Sequence, residues 1–147
     1  MPFKQITPQA DVDAYLKDQL SKREKSIIRT LNFVGITCIN EARTNGKYID
    51  QTGNLRSSIG YAIIQNGVIV NQSRFEQVKD GKDGKKEGSE LLSDLISSST
   101  KGIVLIVVAG MNYAAYVETS LNVLTSAELL AQDLVPKMLR EIGFLIK

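Results

Sequence analysis

The hydrophobic pattern of this chain changes from a helical period to a strand period and back, and each change marks an element. Between residues 10 and 45, Leu20, Ile27, Leu31, Val34 and Cys38 recur at spacings of three, four and seven, which is one face of a helix, and Ile28, Ile39 and Ala42 widen the stripe. Lys17, Lys22, Arg23, Lys25 and Arg29 fall largely outside it. Gly35 costs such a helix about 1 kcal/mol relative to Ala, so a bend there or a break near Ser21 is expected. Asn45-Gly46 should end the helix, with Gly46 left-handed.

A polar segment, Lys47 to Asn54, precedes a strand from about Ser57 to Gln65. Asn66-Gly67 separates it from Val68-Ile69-Val70, and an Asn-Gly pair between β-rich runs predicts a type I′ hairpin. Lys79 to Gly88 holds glycine and both charge signs but no apolar residue, and reads as a mobile loop. Ser89 would cap a helix to about Ser98, with Leu91, Leu92, Leu95 and Ile96 on one side. Gly102 opens Ile103–Ala109, apolar on both faces; it should be central in a sheet, or covered on one side by a partner chain. Asn112 to Glu118 suits a short helix or turn. Thr125 and Glu128 fit a capping box opening a last helix that carries Leu129, Leu130, Leu134, Met138, Leu139 and Ile142, with Pro136 expected to kink or split it.

This order predicts an α+β fold: a long N-terminal helix, a small, mainly antiparallel sheet containing a β-hairpin, an inserted helix and a C-terminal helix. All 147 residues fit one domain, with a helical region at 1–46, the sheet and its insertion at 47–110, and an aromatic turn and last helix at 111–147.

Composition narrows the function classes. Apolar residues are 43% and charged residues 23%, and 18 Lys plus Arg against 16 Asp plus Glu leave a net charge of +2, so neither nucleic acid nor a membrane is expected as the main partner. No apolar run approaches the roughly 20 residues that cross a bilayer, and the N-terminus lacks a secretory pattern. There is no histidine, which removes Ser-His-Asp and Cys-His mechanisms, and Cys38 is the only cysteine. No catalytic residue, cofactor or metal site is expected.

The remaining candidates for chemistry are weak. Gly81, Gly84 and Gly88 resemble a phosphate loop only superficially, because Gly84-Lys85 is followed by Lys86 where Ser or Thr is needed. Asp11 and Asp13 suit the start of a helix. Asp80 and Asp83 lie in the expected loop. Lys79, Lys82, Lys85 and Lys86 form a positive cluster interrupted by acids, with no aromatic interleaved for stacking. Glu118 stands near Tyr113 and Tyr116, as a hydrogen-bond acceptor, an interface residue or, last, an acid.

Two segments are more distinctive. In Asp50-Gln51-Thr52-Gly53-Asn54-Leu55-Arg56-Ser57-Ser58-Ile59, Gly53 gives a turn its freedom and Arg56 enters the strand. In Tyr113-Ala114-Ala115-Tyr116-Val117-Glu118 the two tyrosines can share one face of a helical turn and close the core. Taken in order, Thr52-Gly53-Asn54-Leu55-Arg56-Ser57-Ser58-Ile59 and Tyr113 to Glu118 resemble the tail-component family of long-tailed bacteriophages and prophages, also described as tail-completion or head–tail joining proteins. This chain departs from the family pattern in Thr119-Ser120 after the glutamate, in its amphipathic last helix and in the Lys79–Ser98 insertion.

The resemblance implies a structural, non-enzymatic virion assembly protein. It would act as a homo-oligomeric ring with other neck or tail proteins, in the host cytoplasm during assembly and then in the virion. It also implies that Thr52, Gly53, Asn54, Leu55, Arg56, Tyr113, Tyr116 and Glu118 form an assembly interface. The alternatives are a module contacting nucleic acid through Lys79–Lys86 and a small enzyme using Tyr113 and Glu118.

Overall fold

A computed structural model describes residues 4, 6–44 and 46–144. The first helix, α1 (Gln9–Thr44), is unbroken at Ser21 and Gly35. Gly35 is a packing position in this helix: the Tyr61 ring lies where a side chain would stand. Asn45, half of the expected helix stop, lies outside the described residues.

A one-turn helix, α2 (Asn54–Ser57), replaces the expected start of the strand, so Arg56 is helical. Then follow β1 (Ile59–Gln65), β2 (Val68–Gln72), α3 (Lys82–Ser98), β3 (Ile103–Ala109), α4 (Ala114–Ser120) and α5 (Thr125–Glu141). Asn66 and Gly67 have φ of 50° and 83°, the positive pair that a type I′ turn demands. The fold is α+β, as the sequence predicts.

The three strands lie in the order β2-β1-β3, both pairs antiparallel, with a bulge between Ile63 and Ile64 opposite β2. The central strand is therefore β1, whose residues Ile59 to Ile64 are all buried. β3, expected in the centre, is an edge strand, and only Val108 in it is fully buried. Alternate residues of β1 serve two layers. Ile59, Tyr61 and Ile63 meet Leu31, Val34, Cys38, Ile39 and Ala42 of α1 and Ala127 of α5. On the other face Ala62, with Val108, meets Leu92 of α3. The core is thus an α1/α5 layer, the sheet and an α3 layer.

The α1 stripe is only half used. Leu31 to Ala42 are buried, whereas Leu20, placed on the same stripe, is 63% exposed. α5 runs antiparallel to α1. Cys38 donates its S–H to the Ala127 carbonyl (3.4 Å), and the Arg23 guanidinium lies 5.2 Å from the Phe144 ring centre. The part of α1 before Arg23 therefore projects beyond the described end of the α5 segment, with Tyr15, Leu16 and Leu20 uncovered.

The segment read as a mobile loop is mostly helix. α3 starts at Lys82, so Ser89 lies inside it rather than capping it. Pro136 does not split α5; the helix runs through it, held on α1 by Leu134, Val135 and Met138. Among the described residues no helix is long and apolar enough to cross a membrane.

Candidate functional site

The first motif is a knot of backbone hydrogen bonds around one buried carboxylate. Gly53 has φ 78°, and a Cβ there would run into the Val78 carbonyl, so both conformation and space require glycine. Asp50 is buried and accepts from the backbone N–H of Leu55 (3.3 Å) and Arg56 (2.9 Å). The Arg56 guanidinium lies 3.8 Å from the same carboxylate and 4.8 Å from the Tyr48 ring centre, and its Nε donates to the Arg43 carbonyl (2.9 Å) near the end of α1. Arg56 therefore fastens the motif to the first helix. Lys79 donates Nζ to the Asp50 carbonyl (2.9 Å), and Ser57 Oγ accepts from the Val78 N–H (2.7 Å).

Against this knot lies a seam of glycines that sequence reading took for loop residues. Gly81 sits on the Gly53 carbonyl and Ser57 Oγ, Gly84 on the Asn54 carbonyl, and Gly88 on the Ser58 carbonyl and the Phe75 ring, while Gly110 of the next strand's end abuts Gly88. Asn54 Oδ1 also accepts from the Gly84 N–H (3.0 Å). The spacing of three and four puts Gly81, Gly84 and Gly88 on one stripe running from the start of α3, and backbone meets backbone along it. That spacing is the signal by which the seam could have been read.

The second motif joins the first through Leu55, which packs with Tyr48, Ala114 and Val123. Ala114 supplies the core contact that the tyrosines were expected to make. Tyr113 is 38% exposed and Tyr116 78%, so neither closes the core. Burial, then the neighbouring Asp50, push the Tyr113 phenol up.

Glu118 has a single structural task. Its carboxylate accepts from the N–H groups of Val123 (2.8 Å), Leu124 (2.6 Å) and Thr125 (3.0 Å) and from the Thr125 hydroxyl. It caps α5 in place of the expected Thr125/Glu128 capping box, for which no side-chain cap bond forms. Burial alone would raise its pKa, but these hydrogen bonds outweigh it and hold the group below the usual value of 4.5.

A folded-state pKa below the unfolded one adds stability that is fully present above the unfolded value and is lost as the pH falls through the folded one. Glu118→Gln is therefore expected to cost about 1–2 kcal/mol at pH 7, and the gap from the wild type should close below pH 4.5. Urea unfolding at several pH values measures this; a gap that persists unchanged at low pH would refute the capping charge.

The eight motif residues thus divide. Thr52, Gly53, Asn54, Leu55 and Arg56 belong to the turn, Glu118 caps α5, and Tyr113 and Tyr116 face outward. Glu118 borders a hollow of about 310 Å³ with Ala109, Ala114, Ala115, Val123, Leu124, Thr125 and Glu128, but Tyr113 does not line it. Among the described residues no cluster of three or more His, Cys, Asp or Glu could hold a metal ion. Burial, then Glu41, push the Cys38 thiol up. Comparison of the chain with family models, with curated proteins and with solved structures finds no match.

Proposed function

We propose that the chain is a structural, non-enzymatic component of a phage or prophage neck or tail, joining head to tail by self-assembly and by binding neighbouring neck or tail proteins. The observation that carries this reading is that the two family-like motifs, Thr52 to Ile59 and Tyr113 to Glu118, lie far apart in the chain and in different elements yet share one packed block built on Leu55, Ala114 and Val123. That block turns Tyr113 and Tyr116 outward, where aromatic side chains serve interfaces well. Glu118, the acid an enzyme would need, is already committed to a helix cap and held ionised.

The test is the double variant Tyr113→Ser, Tyr116→Ser. It should keep the wild-type circular dichroism and melting profile yet lose at least tenfold in affinity for the neck and tail proteins of its own phage or prophage, measured by co-sedimentation. Unchanged binding would sink the assignment of this surface; a wild-type chain that binds none of those proteins would sink the function.

One observation favours a second reading. Lys82, Lys85 and Lys86 sit on an ordered helical face with Ser89 and Glu90, around a shallow hollow, rather than in a loose loop. A phosphate backbone could lie there. Affinity for duplex DNA that falls steeply with salt would support this; no binding at low salt would end it.

A further inference from the structure

The helix layer of this protein is wider than the sheet beneath it. α5 packs along α1 but makes only slight contact with β3, so among the described residues no strand lies under it. What lies there is a hollow of about 300 Å³ lined by Cys38, Leu105, Val107, Leu124, Ala127, Glu128 and Ala131. It shares Leu124 and Glu128 with the hollow beside Ala109, so the slot follows β3.

The edge of β3 along this slot is chemically open. Asn66 donates to the Gly102 carbonyl (2.9 Å) and Gly110 to the Ser58 carbonyl (3.1 Å), which sets the phase of the ladder. With the register Ile64↔Val104, Ala62↔Ile106 and Gly60↔Val108, the even residues of β3 bond to β1. The N–H and C=O groups of Ile103, Leu105 and Val107 therefore point away from β1, and among the described residues none of them has a partner. β2, the other edge, is short, bulged and carries Asn71 and Gln72, devices that discourage pairing; β3 has none of them.

We infer that this slot takes an extended strand from a second copy of the chain, and that the strand is the arm before α1 that carries Lys4 and Ile6. The inference rests on the reading of the chain as a self-assembling protein. Charge is one argument. The charged residues that line the slot are acidic, Glu128 and, at its Ala109 end, the helix-capping Glu118. Lys4 and Ile6 are two residues apart, so a strand presents both on one face: Ile6 enters the apolar hollow and Lys4 reaches the Glu128 carboxylate. Ile6 is 95% exposed in the isolated chain.

Reach is the other argument, and it decides between the chain's own slot and a neighbour's. The slot lies at Cys38, about 45 Å along α1 from Pro8 at 1.5 Å per residue. From Lys4 to Pro8 the extended chain spans at most about 15 Å. The arm cannot fold back into its own slot. The projecting start of α1 instead carries it outward, toward another molecule.

The experiment uses full-length chains and size-exclusion chromatography with light scattering. The wild type should run as an oligomer. Ile6→Asp and Lys4→Glu, both outside the packed body, should shift it to monomer, and adding Glu128→Lys to Lys4→Glu should restore at least half of the assembled fraction. Ala131→Trp fills the slot but leaves the arm; with its fold checked by circular dichroism it should be monomeric alone. Mixed with Ile6→Asp it should give a one-to-one heterodimer and nothing larger. Ile6→Asp that assembles like the wild type overturns the inference, as does a wild type that is monomeric at all concentrations. A monomeric wild type that still binds neck proteins would remove the arm exchange and leave the joining role standing. Oligomers that bind no neck protein would do the reverse.

Discussion

Gly84→Ala should destabilise the protein by about 2 kcal/mol, although the same change in an ordinary helix stabilises by about 1 kcal/mol. The reversal comes from the seam. Gly84 lies inside α3, where alanine is the better helix former, yet a Cβ there would fall on the carbonyl, carbon and Cα of Asn54. Those are backbone atoms of a turn already pinned by Asp50 and by the Asn54 side chain, so they cannot swing aside as a flexible side chain would. α3 must lift, and Leu92 lifts with it from Ala62 and Val108. The melting temperature should fall by roughly 6 °C. Ser89→Ala, on the exposed face of the same helix, is the control and should be neutral or slightly stabilising. Calorimetry on the two variants checks the pair; a Gly84→Ala protein more stable than the wild type would show that the seam has slack.

The larger loss is expected from Asp50→Ala, about 3 kcal/mol. Removing this carboxylate strips the Leu55 and Arg56 N–H groups of their acceptor and leaves the Arg56 guanidinium, partly buried against Tyr48, without its counter-charge. Asp50→Asn keeps one carbonyl acceptor and should lose less. The midpoint of urea unfolding reads both. A cost below 1 kcal/mol for Asp50→Ala would mean that the turn holds its shape without the carboxylate.

The elements specified by local pattern were legible in the sequence. The α1 stripe from Ile27 to Cys38 and the Asn66-Gly67 turn depend on neighbours a few residues away, and both form as read. Long-range packing hid the rest. Gly81, Gly84 and Gly88 look like punctuation until a second backbone lies against them. β3 reads as central because its side chains are apolar on both faces, but side-chain character reports what covers the faces and not which edge lacks a partner. Thr125 and Glu128 have the spacing of a capping box, yet the Glu118 carboxylate from the preceding helix reaches three N–H groups at once and displaces it. In the candidate site, the motif residues were visible but their division of labour was not. Asp50, Tyr48 and Arg43 carry the turn together with Gly53 and Arg56; Asp50 opens the distinctive segment, but nothing in the local sequence marks its role or points to Tyr48 and Arg43.

α1 is one helix in outline and two cooperative units in energy. Leu31, Val34, Cys38, Ile39 and Ala42 share the core, and their part of the helix should open only with the whole domain. The first turns, from Gln9 to about Lys22, have no tertiary cover, and a free helix of that length is marginal in water even with its Asp18–Lys22 pair. Their amides should exchange orders of magnitude faster than those of the core half. Any surface that settles on Tyr15, Leu16 and Leu20 must first pay the entropy of freezing a fraying end, and in return gains a rigid strut about 20 Å long, coupled without a joint to the centre of the sheet.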